Sequence, residues 1–341
     1  MKLRYFVLAV CSIVGWALSP LRAGADEGPA GVARAMYDAF ERGDIAAIEG
    51  LLADDVEWVI HGSKALIPYV GAYRGIAGVR QFFADVDKTI RVEKHEPLRY
   101  TVEGDTVHVL GREHSVARTT GGRFTASWVH MITVRGGKIA RFEEVIDTAA
   151  VTEALAPADS VRGKAYFATC AGCHGPQGQG NRFMNAPNLT GLDEAYLLRQ
   201  LRLFFDGTRG TQTDFYGWQM HGRAKALQGD RALRDVVAYI QTLPAHQPTP
   251  RVKGDAKAGS SHYAACSACH GERAEGNAQV NGPALRGLDD WYIVRQLENY
   301  RSGIRGTHAD DALGAQMRPA ALALPNEKAL RDLAAYIATI K

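Results

Sequence analysis

The chain has 341 residues, 46% of them hydrophobic and 23% charged, with a formal charge of +3 at neutral pH. These values describe an ordered globular chain of two or three domains and exclude an intrinsically disordered one. A charge this small, with no basic stripe, argues against nucleic acid as a partner.

The first 25 residues read as a signal peptide. Lys2 and Arg4 form a positive start, an apolar run follows from Tyr5 to Leu18, and Ala23-Gly24-Ala25 is a cleavage signal. The run is too short to span a bilayer comfortably. Cys11 lies inside it, after the bulky Val10, which does not fit a lipidated cysteine. Cleavage after Ala25 removes Lys2, Arg4 and Arg22 and lowers the formal charge from +3 to 0. The expected product is periplasmic and soluble. Its four remaining cysteines are Cys170, Cys173, Cys266 and Cys269, all within two C-x-x-C-H strings.

Residues 26–155 alternate between helical and strand patterns. Gly31–Arg42 places Val32, Met36, Tyr37 and Phe40 on one helical face. A short helix is expected over Ile45–Leu52, a strand over Asp55–Ile60 and a helix over Val79–Ile90. Four strands are expected at about 91–103, 106–118, 123–135 and 138–148, with turns at Gly104-Asp105, Gly121-Gly122 and Gly136-Gly137. Helices followed by a strand meander imply an α+β domain with a curved antiparallel sheet over helices.

Residues 156–246 and 255–341 are two copies of one helical unit, joined by a Pro-containing linker at 247–254. Gly163, Cys170, Cys173, His174, Pro187, Tyr196, Arg209 and Gly210 each recur 96 positions later. After one inserted residue, Gln219-Met220 matches Gln316-Met317. Helices are expected over Asp193–Phe205 and Arg231–Leu243, and over Asp289–Tyr300 and Glu327–Ile340 in the second copy.

Two thiols three positions apart can form thioethers with the vinyl groups of one haem, and the adjacent histidine is then held against the iron. Two such strings imply two covalently bound c-type haems, with His174 and His270 as iron ligands. The second axial ligand is assigned by the duplication. The second copy holds one methionine, Met317, and its equivalent is Met220. Met184 competes in the first copy but has no counterpart in the second. A redox dithiol or half a zinc site is the alternative for a single C-x-x-C. Paired strings, matching methionines and an export signal argue against both.

Residues 156–341 resemble the tandem dihaem class I cytochromes c of bacterial periplasms. The resemblance rests on Cys170-Ala171-Gly172-Cys173-His174-Gly175, Ala186-Pro187-Asn188-Leu189, Gln219-Met220 and their copies. It implies two all-α domains, in each of which the first and last helices cross. Gly163 with Tyr239, and Gly259 with Tyr336, are candidates for the crossings. It also implies that Pro187 and Pro283 offer their carbonyls to the ligating imidazoles. Arg199, Arg209, Arg295 and Arg305 recur and are candidates to neutralise haem propionates; a solvated helix face is the alternative.

Residues 28–155 resemble the SnoaL-like branch of the nuclear transport factor 2-like superfamily. The resemblance rests on Met36-Tyr37-Asp38-Ala39-Phe40 with Gly43-Asp44, Asp55-Val56-Glu57-Trp58, Tyr73-Arg74-Gly75, and Gly137-Lys138-Ile139 with Asp147. It implies a cone-shaped sheet around a pocket. Strand alternation puts Arg112 with His114, Trp128 with His130, and Phe142 with Glu144. Arg112, His114, Trp128, His130 and Glu144 are expected to border the pocket, and Tyr37 and Trp58 to wall it. In limonene-epoxide hydrolase relatives an Arg-x-Asp pair and a last-strand Asp position a water; here His114 replaces the first Asp.

Beside a sensor or scaffold in which the haems report redox state, two functions follow. One is a dihaem carrier of single electrons between redox proteins such as a dehydrogenase, a cytochrome or a terminal oxidase, with an N-terminal domain that docks a partner or binds a small apolar ligand. The other is a redox enzyme whose N-terminal domain performs isomerase- or hydrolase-like chemistry on that ligand, drawing on Arg112, His114, His130 and Glu144.

Overall fold

The computed structural model describes residues 28–340, Gln212 excepted. The segment read as a signal peptide lies outside the described residues. The chain divides into two compact units, one ending at Pro157 and one starting at Ala158.

The first unit opens with α1 (Pro29–Glu41) and α2 (Ile45–Gly50). Asp44 starts α2 by accepting from the Ala47 amide, which satisfies one of the free N-terminal donors. Then come β1 (Leu52–Ile60), β2 (Gly71–Arg74) and α3 (Gly75–Thr89). The meander is β3 (Ile90–Glu103), β4 (Thr106–Ala117), β5 (Arg123–Arg135) and β6 (Lys138–Ile146), closed by α4 (Thr148–Leu155). Strand order is β2-β1-β6-β5-β4-β3. Every neighbouring pair is antiparallel except β1 and β6, which run parallel. The helices pack on one face of the sheet. The core there is aromatic: Trp58 of β1 stacks on Phe142 of β6 at 3.8 Å, and Phe82 and Phe83 of α3 close against Trp58. Short β2 and α4 were not expected from sequence periodicity; each is too brief to display one.

The second unit holds α5 (Ser160–His174), α6 (Glu194–Asp206), α7 (Phe215–Lys225) and α8 (Asp230–Gln241) in the first copy. The second copy holds α9 (Ala256–Tyr263), α10 (Ser267–His270), α11 (Asp290–Arg301), α12 (Ala312–Leu322) and α13 (Glu327–Ile337). In each copy the first and last helices cross at a glycine. A methyl group on Gly163 would sit 1.9 Å from the Asp235 carbonyl oxygen, and one on Gly259 would sit 2.0 Å from that of Asp332. Both aspartates are buried and tie the crossing together. Asp235 accepts from the Asp159 amide at 2.6 Å and Arg162 at 2.9 Å. Asp332 accepts from the Asp255 amide at 2.8 Å and Lys328 at 2.6 Å. Among the described residues, no helix is long and apolar enough to cross a membrane.

Gly163→Ala should therefore force α5 and α8 apart and cost about 1–3 kcal/mol. Gly172→Ala in the same helix meets nothing within 4 Å and should be neutral or slightly stabilising. Denaturant unfolding of the two variants checks this; equal stabilities would contradict it.

Candidate functional site

Each copy delivers its C-x-x-C-H string at the end of its leading helix. In the first copy α5 carries Cys170, Cys173 and His174 through its last turn. In the second the helix breaks after Tyr263 and resumes as α10, with Cys266 still in helical conformation. Both histidines are buried, and both imidazoles use Nδ1 in the same way. His174 Nδ1 donates to the Pro187 carbonyl at 2.8 Å, and His270 Nδ1 donates to the Pro283 carbonyl at 2.8 Å. That bond fixes the tautomer and leaves Nε2 with a lone pair, the form a metal ion binds. Burial lowers both imidazole pKa values, which also favours the neutral ring.

The loop that brings each proline is folded alike. The Gly180 amide donates to the His174 carbonyl at 2.8 Å, and the Gly276 amide to that of His270 at 2.7 Å. Asn185 and Asn281 turn the loops in left-handed conformation, with φ of 54° and 56°.

The methionines ride on α7 and α12, two helices that apolar periodicity did not reveal. The available signal was their caps. Buried Asp214 accepts from the Gly217 amide at 3.0 Å, and buried Asp311 from the Gly314 amide at 2.9 Å. The glycines are needed because the capping carboxylates lie where a Cβ would be.

The Cys pair, the His and the Met of each copy converge on a cavity. The first is about 800 Å³ and includes Cys170, Cys173, His174 and Met220 in its wall. Met184 lines it too, from the exposed ligand loop. The second is about 200 Å³ and includes Cys266, Cys269, His270 and Met317. Each cavity is completed by the other copy: Tyr292 and Gln296 reach the first, Tyr196 and Gln200 the second.

The four recurring arginines divide into two pairs. Arg209 and Arg305 are buried, at 4% and 6% exposure, between the two cavities. Arg305 donates to Gln296 at 2.7 Å and to Gln200 at 3.2 Å; Arg209 donates to Gln200 and, at 3.2 Å, to Gln296. The Nε of each has no partner among the described residues. A buried guanidinium with donors to spare suits an anionic group. Arg199 and Arg295 reach the opposite copy's ligand loop, at Asn281 and Asn185, and also line the second and the first cavity. Apolar cavities with paired thiols, a neutral imidazole, a thioether and buried cations fit covalently bound haem with its two propionates.

The N-terminal unit holds a third cavity of about 60 Å³. Its wall includes His130 and Glu144, as expected, with Tyr37 and Trp58. Trp128 is buried behind it, stacked on His130 at 3.9 Å and His95 at 4.5 Å. Arg112 and His114 are not there. They lie on the outer face of the sheet, where Arg112 pairs with Glu96 at 2.8 Å and His114 accepts or donates at Thr125 at 2.8 Å. The reason is strand register. Gly111 pairs with Trp128 and Val109 with His130, so the odd-numbered residues of β4 share the inner face. Glu113 therefore enters the pocket in place of its neighbours. Val107, Val109 and Gly111 are buried on this face. His95 also enters, because β3 shifts register between Val92 and Lys94 and so changes which residues point inward.

Two carboxyls thus share an apolar cavity without a basic partner. Desolvation and the Glu144 charge push Glu113 up to about 8. Desolvation pushes Glu144 up to about 7. Burial lowers His130 and His95 to about 3. His130 Nε2 stands 3.6 Å from Glu144, and its Nδ1 is 2.8 Å from the Tyr37 hydroxyl. Both directions favour uncharged groups, so burial disfavours a salt bridge between Glu144 and His130.

Comparison with known proteins divides the chain in the same way. The cytochrome c family matches residues 160–244 and 256–341. The SnoaL-like domain family matches residues 33–142. The thiosulfate dehydrogenase electron acceptor of Thiomonas intermedia (strain K12) is 34% identical over 169 residues, covering 47% of this chain and 73% of that protein. Cytochrome c4 of Azotobacter vinelandii is 30% identical over 194 residues, covering 54% and 90%. The crystal structure of reduced recombinant cytochrome c4 from Pseudomonas stutzeri aligns with a TM-score of 0.44 at 26% identity, covering 54% of this chain and 100% of that one.

The buried carboxyls and imidazoles make the N-terminal unit's stability depend on pH in two directions. The carboxyl contribution is complete below the ordinary 4.5 and is lost as pH rises through about 7 and about 8. The imidazole contribution is complete above 6.5 and is lost as pH falls towards about 3. From these four groups, calorimetric unfolding should be flat between the two ordinary values and weaken on either side. Glu113→Gln should shrink the alkaline fall and spare the acid one. An alkaline fall unchanged by that substitution would contradict the assignment.

Proposed function

Because the chain belongs to the cytochrome c family and carries two covalently bound c-type haems, we propose that it works in the periplasm as a two-site relay for single electrons. In this reading Cys170 and Cys173 hold one haem, and Cys266 and Cys269 the other. His174 with Met220, and His270 with Met317, would ligate the two irons. Bound there, haem supplies a one-electron couple whose potential a methionine ligand raises. The chain's own residues orient and tune it. Pro187 and Pro283 hold the rings, and Arg209 and Arg305 offset carboxylate charge in an apolar setting. Irons held by two protein ligands each would offer no open site to oxygen or peroxide, which favours a carrier over a peroxidase-like enzyme.

One observation carries this reading: the matched 2.8 Å bonds from His174 to Pro187 and His270 to Pro283, each beside a cavity holding that copy's cysteines and methionine. The export signal at Ala23-Gly24-Ala25 supports the compartment. A relative named as the electron acceptor of thiosulfate dehydrogenase supports a dehydrogenase as donor. A cytochrome or terminal oxidase then serves as acceptor.

The N-terminal unit, in the same reading, binds a small and largely apolar ligand that accepts a hydrogen bond. The buried Tyr69 hydroxyl and Trp58 Nε1 line the cavity without a partner there, which supports an accepting atom. The second reading, a redox enzyme acting on that ligand, draws on Glu144 beside His130, since a carboxyl raised to about 7 exchanges protons readily near neutral pH.

A pyridine haemochrome assay should find two haems per chain. Met220→Leu should abolish the Met–iron charge-transfer band of one haem, and Met184→Leu should leave both bands intact. Loss of a band in the Met184 variant would overturn the ligand assignment.

A further inference from the structure

We propose that the mouth of the first haem cavity is a docking surface for an acidic redox protein, and that the mouth of the second is not. The inference rests on the relay reading and goes beyond it by telling the two copies apart.

The duplication provides its own control. The ligand loop and the methionine helix have equivalents in both copies, yet their outward residues differ. Phe183 is 97% exposed, Phe215 62% and Trp218 53%. Their equivalents are Gln279, Ala312 and Ala315. Large apolar side chains clustered in the open are unusual on a soluble protein and mark an interaction surface. The cluster frames the cavity itself, since Met184, Tyr216 and Trp218 also line it.

The charges differ in the same direction. Exposed Arg182, Arg223 and Lys225 stand among these aromatics. Their equivalents are Ala278, Ala320 and Leu322. Within residues 181–187 and 211–228 the single acid is Asp214, which is buried as the cap of α7. Around the second methionine helix, Arg318 is offset by exposed Asp310, which lies 3.7 Å from His308. One mouth is therefore aromatic and cationic, and the other exposes the aliphatic Val280 and Leu322 and is balanced in charge.

An apolar centre with a cationic rim complements a surface with an apolar centre and an acidic rim. Such a pairing steers encounter and fixes orientation without the large buried area of a permanent complex. That suits a relay, whose partner must leave after each electron. A second copy of this chain is a poor occupant, because two such mouths face to face would oppose cation to cation.

The test uses the full dihaem chain with reduced plant-type ferredoxin as the acidic probe, measuring binding by surface plasmon resonance and haem reduction by stopped flow. Arg182→Glu with Lys225→Glu, both exposed and outside the cavity wall, should weaken binding and slow reduction by about tenfold or more at low salt, and should flatten the salt dependence. Phe183→Ser with Phe215→Ser should weaken binding with the salt dependence retained. Both variants should keep two intact haem spectra. Ala278→Glu with Leu322→Glu in the second copy, both exposed and outside the cavity wall, should change neither quantity by more than about twofold. Equal losses from the two copies, or none from the first, would overturn the proposal. So would sedimentation in which the first-copy variants convert a dimer to monomer, which would make the patch a self-association surface. Tight, salt-sensitive binding at the first mouth without haem reduction would support the docking surface and overturn the relay.

Discussion

A buried imidazole whose Nδ1 is committed to a proline carbonyl is the constraint on which the cytochrome half depends. It appears twice, as His174 to Pro187 and His270 to Pro283, at the same 2.8 Å. The bond decides the tautomer, so it decides which nitrogen is left for a metal. To form, it needs a loop that returns to the end of the leading helix, closed by amides of Gly180 and Gly276. It also needs that helix held still, which the crossings at Gly163 and Gly259 accomplish. Backbone contact at those points leaves no freedom for either helix to rotate.

The two copies are joined through their most costly groups. Arg209 and Arg305 are buried cations that share Gln200 and Gln296 across the junction. Burying a guanidinium away from water is unfavourable unless its donors are used or a negative group compensates. Haem carboxylates would meet that need, since Arg209 Nε and Arg305 Nε have no partner among the described residues. The junction is then both structural and electrostatic, and each copy's cavity is finished by the other's side chains. Symmetry holds at this centre and fails at the outer mouths, where one copy is aromatic and cationic and the other aliphatic and balanced in charge.

How much could be read from sequence followed from how local the chemistry is. Cysteines, histidine and their spacing are one turn of chain, so the haem attachment strings were legible at once. Met220 was legible because the duplication aligned it with Met317 and left Met184 without a counterpart. The helices that carry these methionines were not, since Gly217, Gly222 and Pro319 hide the periodicity and buried aspartate caps supply the order. The N-terminal pocket depended on strand parity. His130 and Glu144 were placed on the correct face, but Arg112 and His114 were not. A pleat has two sides, and only the cross-strand pairing of Gly111 with Trp128 says which is inner. Gly111 itself marks that pairing, because Trp128 occupies the space a side chain would need.

The proposed relay depends on each iron being held by two protein ligands, His174 with Met220 and His270 with Met317. Optical redox titration of the full chain, repeated under carbon monoxide, tests that ligation most directly. Two one-electron steps, with neither haem changing its reduced spectrum on adding carbon monoxide, are the predicted result. A haem that binds carbon monoxide in the native protein would have an open position, and would contradict it.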